Sequence, residues 1–266
     1  MAAPLANIDW TAPWLAPYRA LGQPLAARAN WREEMSRLAA DKSLQNFQGK
    51  PIRFIPQDDL PAGVPYEAHI GSTGQIPTRD NLHDFFNGLV WLHFPLTKAR
   101  LNRLQFEQLQ IDSKAGEGQY RVGNTRGRLR DATTVFDENG ALLLCSRPDL
   151  AEALRKHQWT QVFIERRTEF LASCSFILFG HALMEKLVTP YSSITAHWIE
   201  LPMQAGSPDC APAVADPAAA PLFTTELSNR RYSPLPIFGI PGWRTDQSLE
   251  FYSDTSLFRP RRAPRD

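Results

Sequence analysis

The sequence predicts an α+β fold, a mainly helical single domain with a small antiparallel β element and an irregular C-terminal wrap. Three observations predict it. Apolar residues recur at helical spacing through most of the chain, most clearly over residues 78–91 and 180–187. Strand-like text is confined to short runs bounded by turn residues, best seen where residues 131–136 and 141–145 flank Asp137-Glu138-Asn139-Gly140. The last part, residues 234–243, is mostly turns carrying large apolar anchors such as Phe238 and Trp243. With 266 residues, of which 43% are hydrophobic, the chain can bury a sizeable core.

Residues 1–50 read as a helical lead-in. Trp10, Trp14, Tyr18 and Leu21 fall near helical spacing, and two short helices broken at Gly22 and Pro24 are expected. The main domain spans residues 51–260. It opens on a short strand at 51–54 and a Pro/Gly/Asp-punctuated connection at 56–74. A helix capped by Thr78 or Asp80 follows, and Pro95 should kink or end it. Residues 97–110 read as a second amphipathic helix with Lys98, Arg100 and Arg103 on its wet side. Residues 116–130 read as a basic loop, and 131–145 as a β-hairpin. Ser146 is placed to cap a helix running to about Lys156. Residues 159–173 look helical, while 176–179 fit a helix end, a short strand or the entry to a buried helix equally well. A helix at 180–187 stops at Thr189-Pro190, and 193–201 alternates as a strand. Residues 202–221 form a Pro/Ala-rich excursion, and 261–266 a mobile basic tail.

Several function classes lose their support. Twenty-nine Lys and Arg against 28 Asp and Glu leave a formal charge of +1, so no global field recruits nucleic acid or an anionic membrane. The first thirty residues lack a basic stretch followed by an apolar run, and the longest apolar windows fall short of the roughly 20 residues of a membrane span. A soluble, cytoplasmic protein without a membrane partner is expected. Cys145, Cys174 and Cys210 are odd in number and form no CxxC, which argues against a disulfide framework or a thiolate zinc site and for core or surface thiols. The dinucleotide and phosphate-binding glycine motifs, the serine-hydrolase elbow and HExxH are all missing.

What survives is a set of histidines and carboxylates at helical spacing. His83 and Asn87 are four apart, with Asp80 three before, and His181 and Glu185 are also four apart, so each set shares a helix face. If the two helices pack together, His83, His181 and Glu185, with His197 from the following strand, would suit one divalent metal such as zinc, iron or manganese. The commoner outcome of a His and Glu one turn apart is a mutual hydrogen bond. Without metal, the same groups suit acid/base catalysis, with His83 and His181 carrying protons, Asp84 or Glu185 orienting an imidazole, and Asp131 presented at a strand edge. Arg79, Asn87, Lys98, Arg130 and Lys186 would then hold a small polar or anionic ligand. For Arg79 and Lys186 the plainer reading is a solvated salt bridge. Asp137 and Glu138 read as turn residues of the hairpin. A rival function is a binding module in which residues 120–130, with Tyr120, Arg126 and Arg128, engage RNA or another anionic partner. In that reading the polar cluster only fixes helix packing.

The runs PTRDNLHDFFNGLVWLHFPLTKARLN (residues 77–102), RDATTVFDENGA (130–141), FGHALMEKL (179–187), PLPIFGIPGW (234–243) and FYSDTSLFRP (251–260) resemble a proteobacterial family called domain of unknown function three-thousand-and-twenty-five. The resemblance spans about Ile52 to Pro260 and implies no established activity. Its hallmark polar positions fall on Arg79, Asp80, Asn81, His83, Asp84, Asn87, Lys98 and Asn102, and on Arg130, Asp131, Asp137, Glu138, His181, Glu185 and Lys186. The residues themselves lead to the reading of a polar cleft between the helices bearing His83 and His181, in an enzyme doing hydrolytic or acid/base chemistry, metal-assisted or not, on a small polar or phosphorylated substrate.

Overall fold

The structure, a computed structural model, describes residues 4–114, 127–201 and 211–261. It begins with helices α1 (Ala16–Ala26) and α2 (Trp31–Asp41), then β1 (Arg53–Pro56), α3 (Tyr66–Thr73), β2 (Gln75–Thr78), α4 (Leu82–His93) and α5 (Pro95–Lys114). The second part runs α6 (Arg128–Asn139), β3 (Gly140–Cys145), α7 (Pro148–Arg155), α8 (Arg167–Ser173), β4 (Cys174–Leu178), α9 (His181–Lys186) and β5 (Thr195–Leu201). It closes with α10 (Pro212–Ala219), β6 (Ser233–Pro236) and α11 (Leu249–Ser253), the last two joined by turns that wrap over the core. The fold is α+β and mainly helical. Among the described residues no helix is long and apolar enough to cross a membrane.

Among the described residues two small sheets organise the strands. β1 and β2 pair in parallel, and a four-stranded sheet has the order β4-β3-β5-β6. Its outer pairs are antiparallel and its central pair, β3 with β5, is parallel, with Gly140 opposite His197. Every residue of β3 is buried, as a strand covered on both faces requires. The helical counterpart is α4, which buries Phe85, Phe86, Leu89, Val90, Trp91 and Leu92 around most of its circumference. At roughly 1.5–3 kcal/mol for each large apolar side chain buried, this one helix carries a large share of the hydrophobic stabilisation. It packs against α1, α2, α5 and α9, so its polar first turn is held in the interior by the apolar turns behind it.

The expected hairpin at 131–145 is not formed. Residues 128–139 make α6, which buries Ala132, Thr133 and Phe136 on one face, and the strand begins directly at Gly140. Thr133, Thr134 and Val135 have β propensity, but burial of a helical stripe outweighs it. Gly140 ends the helix, its amide donating to the Phe136 carbonyl; a Cβ there would stand 2.3 Å from that oxygen.

Other departures have similar causes. α1 continues through Gly22 and Pro24: Gly22 lets the Trp10 ring approach to 2.3 Å from where a Cβ would stand, and Pro24 lies in the final turn. The N-cap of α7 is Arg147 instead of Ser146, whose amide donates to the Ser173 carbonyl at 2.9 Å. Residues 176–179 fall largely in strand β4. Within the Pro/Ala-rich excursion, α10 docks on α5, and the buried Asp216 accepts the Leu96 and Thr97 amides at 2.8 Å each. Asp216 thus caps α5 from 120 residues away along the chain. Cys145 and Cys174 stand opposite each other in the β3–β4 register and are joined by a disulfide, where free thiols were expected.

Candidate functional site

Among the described residues five helices, α3, α4, α5, α6 and α9, and the loop before α4 converge on a cleft of about 600 Å³. The first turn of α4 supplies His83, Asp84 and Asn87; α9 supplies His181; α6 supplies Arg130, Thr134, Asp137 and Glu138; α3 supplies Tyr66 and Glu67; and Arg79 closes the rim. On α6 the cleft residues recur at i, i+4, i+7 and i+8, the spacing of one helical face.

The α4 start is fixed locally. Asn81 is the N-cap, its Oδ1 accepting the Asp84 amide at 2.8 Å. The Asp84 carboxylate turns back to accept the Arg79 amide at 2.6 Å and a bidentate pair from the Arg79 guanidinium at 3.0 and 2.9 Å. Asp84 is therefore occupied with helix entry and does not orient an imidazole. Arg79 is held to the same carboxylate. Asp80 pairs outward with Arg32 at 2.5 Å.

His83 and His181 meet at the cleft floor, their Nε2 atoms 3.0 Å apart and their rings nearly perpendicular at 84°. Each turns its other nitrogen to a carboxylate. His83 Nδ1 lies 2.9 Å from Glu185 Oε2, and His181 Nδ1 faces Asp137 Oδ2 at 3.8 Å. An ionised carboxylate can only accept, so His83 Nδ1 carries hydrogen; His181 Nδ1 is buried without a hydrogen-bond partner, and a neutral His181 with its hydrogen on Nε2 donates to the bare Nε2 of His83. Burial pushes the His181 imidazole down to about 3, outweighing the nearby Asp137, so His181 is neutral. His83 is also the more exposed of the two rings, 31% against 7% at the side chain.

A polar chain continues behind His181. Lys98 Nζ donates to Asp137 Oδ1 at 2.6 Å and to Asn87 Oδ1 at 2.8 Å, and Asn87 Nδ2 donates to the Tyr66 hydroxyl at 3.0 Å. Lys98 is buried and sits 5.5 Å over the Trp91 ring. Burial alone would raise the Asp137 carboxyl; Lys98 and the two histidines outweigh it and hold it below the ordinary carboxylate range. Burial raises Glu67, with Asp137 adding to it, and Asn102 Nδ2 donates to that carboxylate at 2.6 Å. Tyr66 is raised by burial and by neighbouring carboxylates. Arg130 keeps its Nε without a partner and reaches only 3.7 Å from Asp112.

The remaining candidates lie elsewhere. Asp131 lines a separate recess with Arg128, Ser228, Asn229 and Arg230. His197 is half-buried on β5 and does not line the cleft, and Lys186 donates to Asn139 at the surface, at 2.8 Å. Glu185 stands at Nδ1 of His83, across the ring from Nε2. The four expected ligands His83, His181, Glu185 and His197 are thus not gathered, and among the described residues no group of three or more His, Cys, Asp or Glu side chains could hold a metal ion. The two Nε2 atoms alone converge. Of the basic loop, residues 115–126, including Tyr120 and Arg126, lie outside the described residues.

Sequence reasoning missed Tyr66, Glu67, Thr134 and Gln105 as cleft residues, and it read Asp137 and Glu138 as a turn. The i, i+4, i+8 spacing of Arg130, Thr134 and Glu138 was the available signal for the α6 wall.

The model of a family described as Protein of unknown function (DUF3025) matches residues 52–262. No curated protein and no solved structure matches the chain.

Proposed function

The chain belongs to this family of unknown function, which lends it no activity, and from the cleft we propose an enzyme that performs acid/base chemistry, hydrolysis in the first instance, on a small polar substrate. The observation that carries the proposal is the His83–His181 pair, with Nε2 atoms 3.0 Å apart at the floor of a cleft and a carboxylate behind each ring. Two bare lone pairs at that distance repel, so the arrangement is built to share a proton. A structural network has no need to leave its most labile proton facing a cavity of about 600 Å³.

Each group has a role in this reading. His83, the exposed member, exchanges protons with the substrate through Nε2. Glu185 holds its Nδ1–H and stabilises the imidazolium. His181, kept neutral by burial, hydrogen-bonds Nε2 of His83. In a hydrolytic cycle the attacking water gives a proton to the bare Nε2 of His83 as its oxygen bonds to the electrophilic centre. The same proton passes to the leaving atom as that bond breaks, and the ring returns unchanged. Asp137 and Lys98 position His181, and Arg130, with its unpartnered Nε, is the free donor for an anionic substrate group.

The test is a panel of chromogenic esters, amides, glycosides and phosphoesters assayed with the intact protein and with His83→Ala, His181→Ala and Glu185→Gln. A turnover that falls about 100-fold or more in His83→Ala, and less in Glu185→Gln, is expected for a lost proton carrier and a lost orienting group. Turnover unchanged by His83→Ala refutes the assignment.

A further inference from the structure

A second recess, separate from the histidine cleft, opens where the main sheet loses its edge strand. β6 begins at Ser233, opposite Trp198, so Ile199, Glu200 and Leu201 of β5 have no β6 partner. The recess there measures about 820 Å³ and is walled by Trp198, Ile199 and Glu200 with Arg155, Arg230, Arg231 and Arg261. Four guanidinium groups therefore face one carboxylate, in a chain whose formal charge is only +1.

The single carboxylate is already committed, because Glu200 is paired with Arg155, which also lies 5.3 Å over the Trp198 ring. Among the described residues Arg230, Arg231 and Arg261 pair with no acid. Among the described residues these three exposed guanidinium groups at the rim of one concavity have no acid beside them, and an anion between them relieves what repulsion water leaves unscreened. A second observation points to an acceptor. Trp198 is 1% exposed, and its indole Nε1, a group that can only donate, is buried without a hydrogen-bond partner.

We propose that this recess binds a small phosphorylated molecule carrying at least two negative charges, through Arg230, Arg231 and Arg261. Guanidinium forks match phosphate oxygens bidentately, and the volume suits a nucleotide-sized ligand. One face of the Trp198 ring is already taken by Arg155, and Phe176 lies edge-on to it at 6.3 Å, so phosphate charge and not base stacking supplies the recognition.

The probes are pyrophosphate and tripolyphosphate, titrated calorimetrically into the full chain at low salt. The comparison proteins are Arg230→Glu/Arg231→Glu and, as a control on α5, Arg103→Glu. Binding in the micromolar range is expected, weakened by about 20-fold or more in the double variant and by added salt, and unchanged by Arg103→Glu. The Trp198 indole N–H resonance, identified by its loss in Trp198→Phe, should shift on titration. Absence of binding at about 5 mM of either probe, or equal binding by the double variant, overturns the proposal. So does retention of RNA oligonucleotides by a protein that ignores tripolyphosphate.

Discussion

Replacing Lys98 by Met isolates the electrostatics behind the histidine pair. The thioether chain keeps the stem packed beside Trp91 while removing the ammonium that donates to Asp137 and Asn87 at 2.6 and 2.8 Å. The two charged side chains are 5% and 14% exposed, so the change strands a carboxylate in a nearly dry site. Breaking a buried pair from one side costs about 3–5 kcal/mol, which for a chain of this size lowers Tm by on the order of 10 °C. The cost should depend on pH with a definite sign. In the parent protein Asp137 lies below its ordinary value and contributes stability above the carboxylate range. Without Lys98, burial raises Asp137, and the folded protein takes up a proton more readily than the unfolded chain. The difference between parent and variant should therefore shrink as pH falls towards the acid end of that range. Urea denaturation at several pH values measures it, and adding Asp137→Asn should recover much of the loss. A cost below about 1 kcal/mol, independence of pH, or strict additivity in the double variant would show that the pair is not the buried, coupled unit described.

Three further outcomes are expected. Burial holds His181 near 3 and His93 near 4, both below the ordinary 6.5, so each contributes stability that is present above pH 6.5 and is lost as pH falls through the window down to those values. Each should cost about 1.4 kcal/mol per pH unit within its window, and a flat urea midpoint between the neutral range and its acid end would contradict the neutral buried state. Asp216→Ala frees the Leu96 and Thr97 amides at the start of α5 and should cost about 1–2 kcal/mol, read by thermal denaturation; a neutral result would mean that water replaces the cap. At Gly180 a Cβ would stand 2.5 Å from the Glu138 carbonyl oxygen, so Gly180→Ala must move α6 or α9 and should destabilise by about 1–3 kcal/mol; an unchanged Tm would disprove the close approach.

The parts legible from sequence are those set by local periodicity. The apolar stripe of α4 and the four-residue spacings of His83 with Asn87 and His181 with Glu185 put these residues on the two helices that meet at the cleft floor. Partner choice was not legible. Spacing made Glu185 a companion of His181 on a shared face, while packing of α4 against α9 hands it to His83 Nδ1. Asp84 looked like an imidazole's partner, yet the helix start claims it through Arg79. The α6 wall was lost because Thr133, Thr134 and Val135 favour extended backbone locally and a helix globally. Tyr66, Glu67 and Asp216 act through contacts 21 to 120 residues away, at Asn87, Asn102 and Leu96. No local pattern encodes such pairings.

The abrupt passage from α6 into β3 has a consequence for how the cleft can open. The Gly140 carbonyl accepts both the Phe179 and Gly180 amides, at 2.9 and 2.8 Å, so a single peptide group fastens the end of the helix bearing Asp137 and Glu138 to the start of the helix bearing His181. These two walls are a hinge pin with no hinge: they cannot part without unzipping the middle of the sheet. Widening to admit a ligand then falls to the opposite rim, the turns around Gln57, Leu60 and Pro65 that border the cleft and belong to no strand. The histidine pair is thus tied to the wholly buried strand β3, while the opposite rim lies outside every strand.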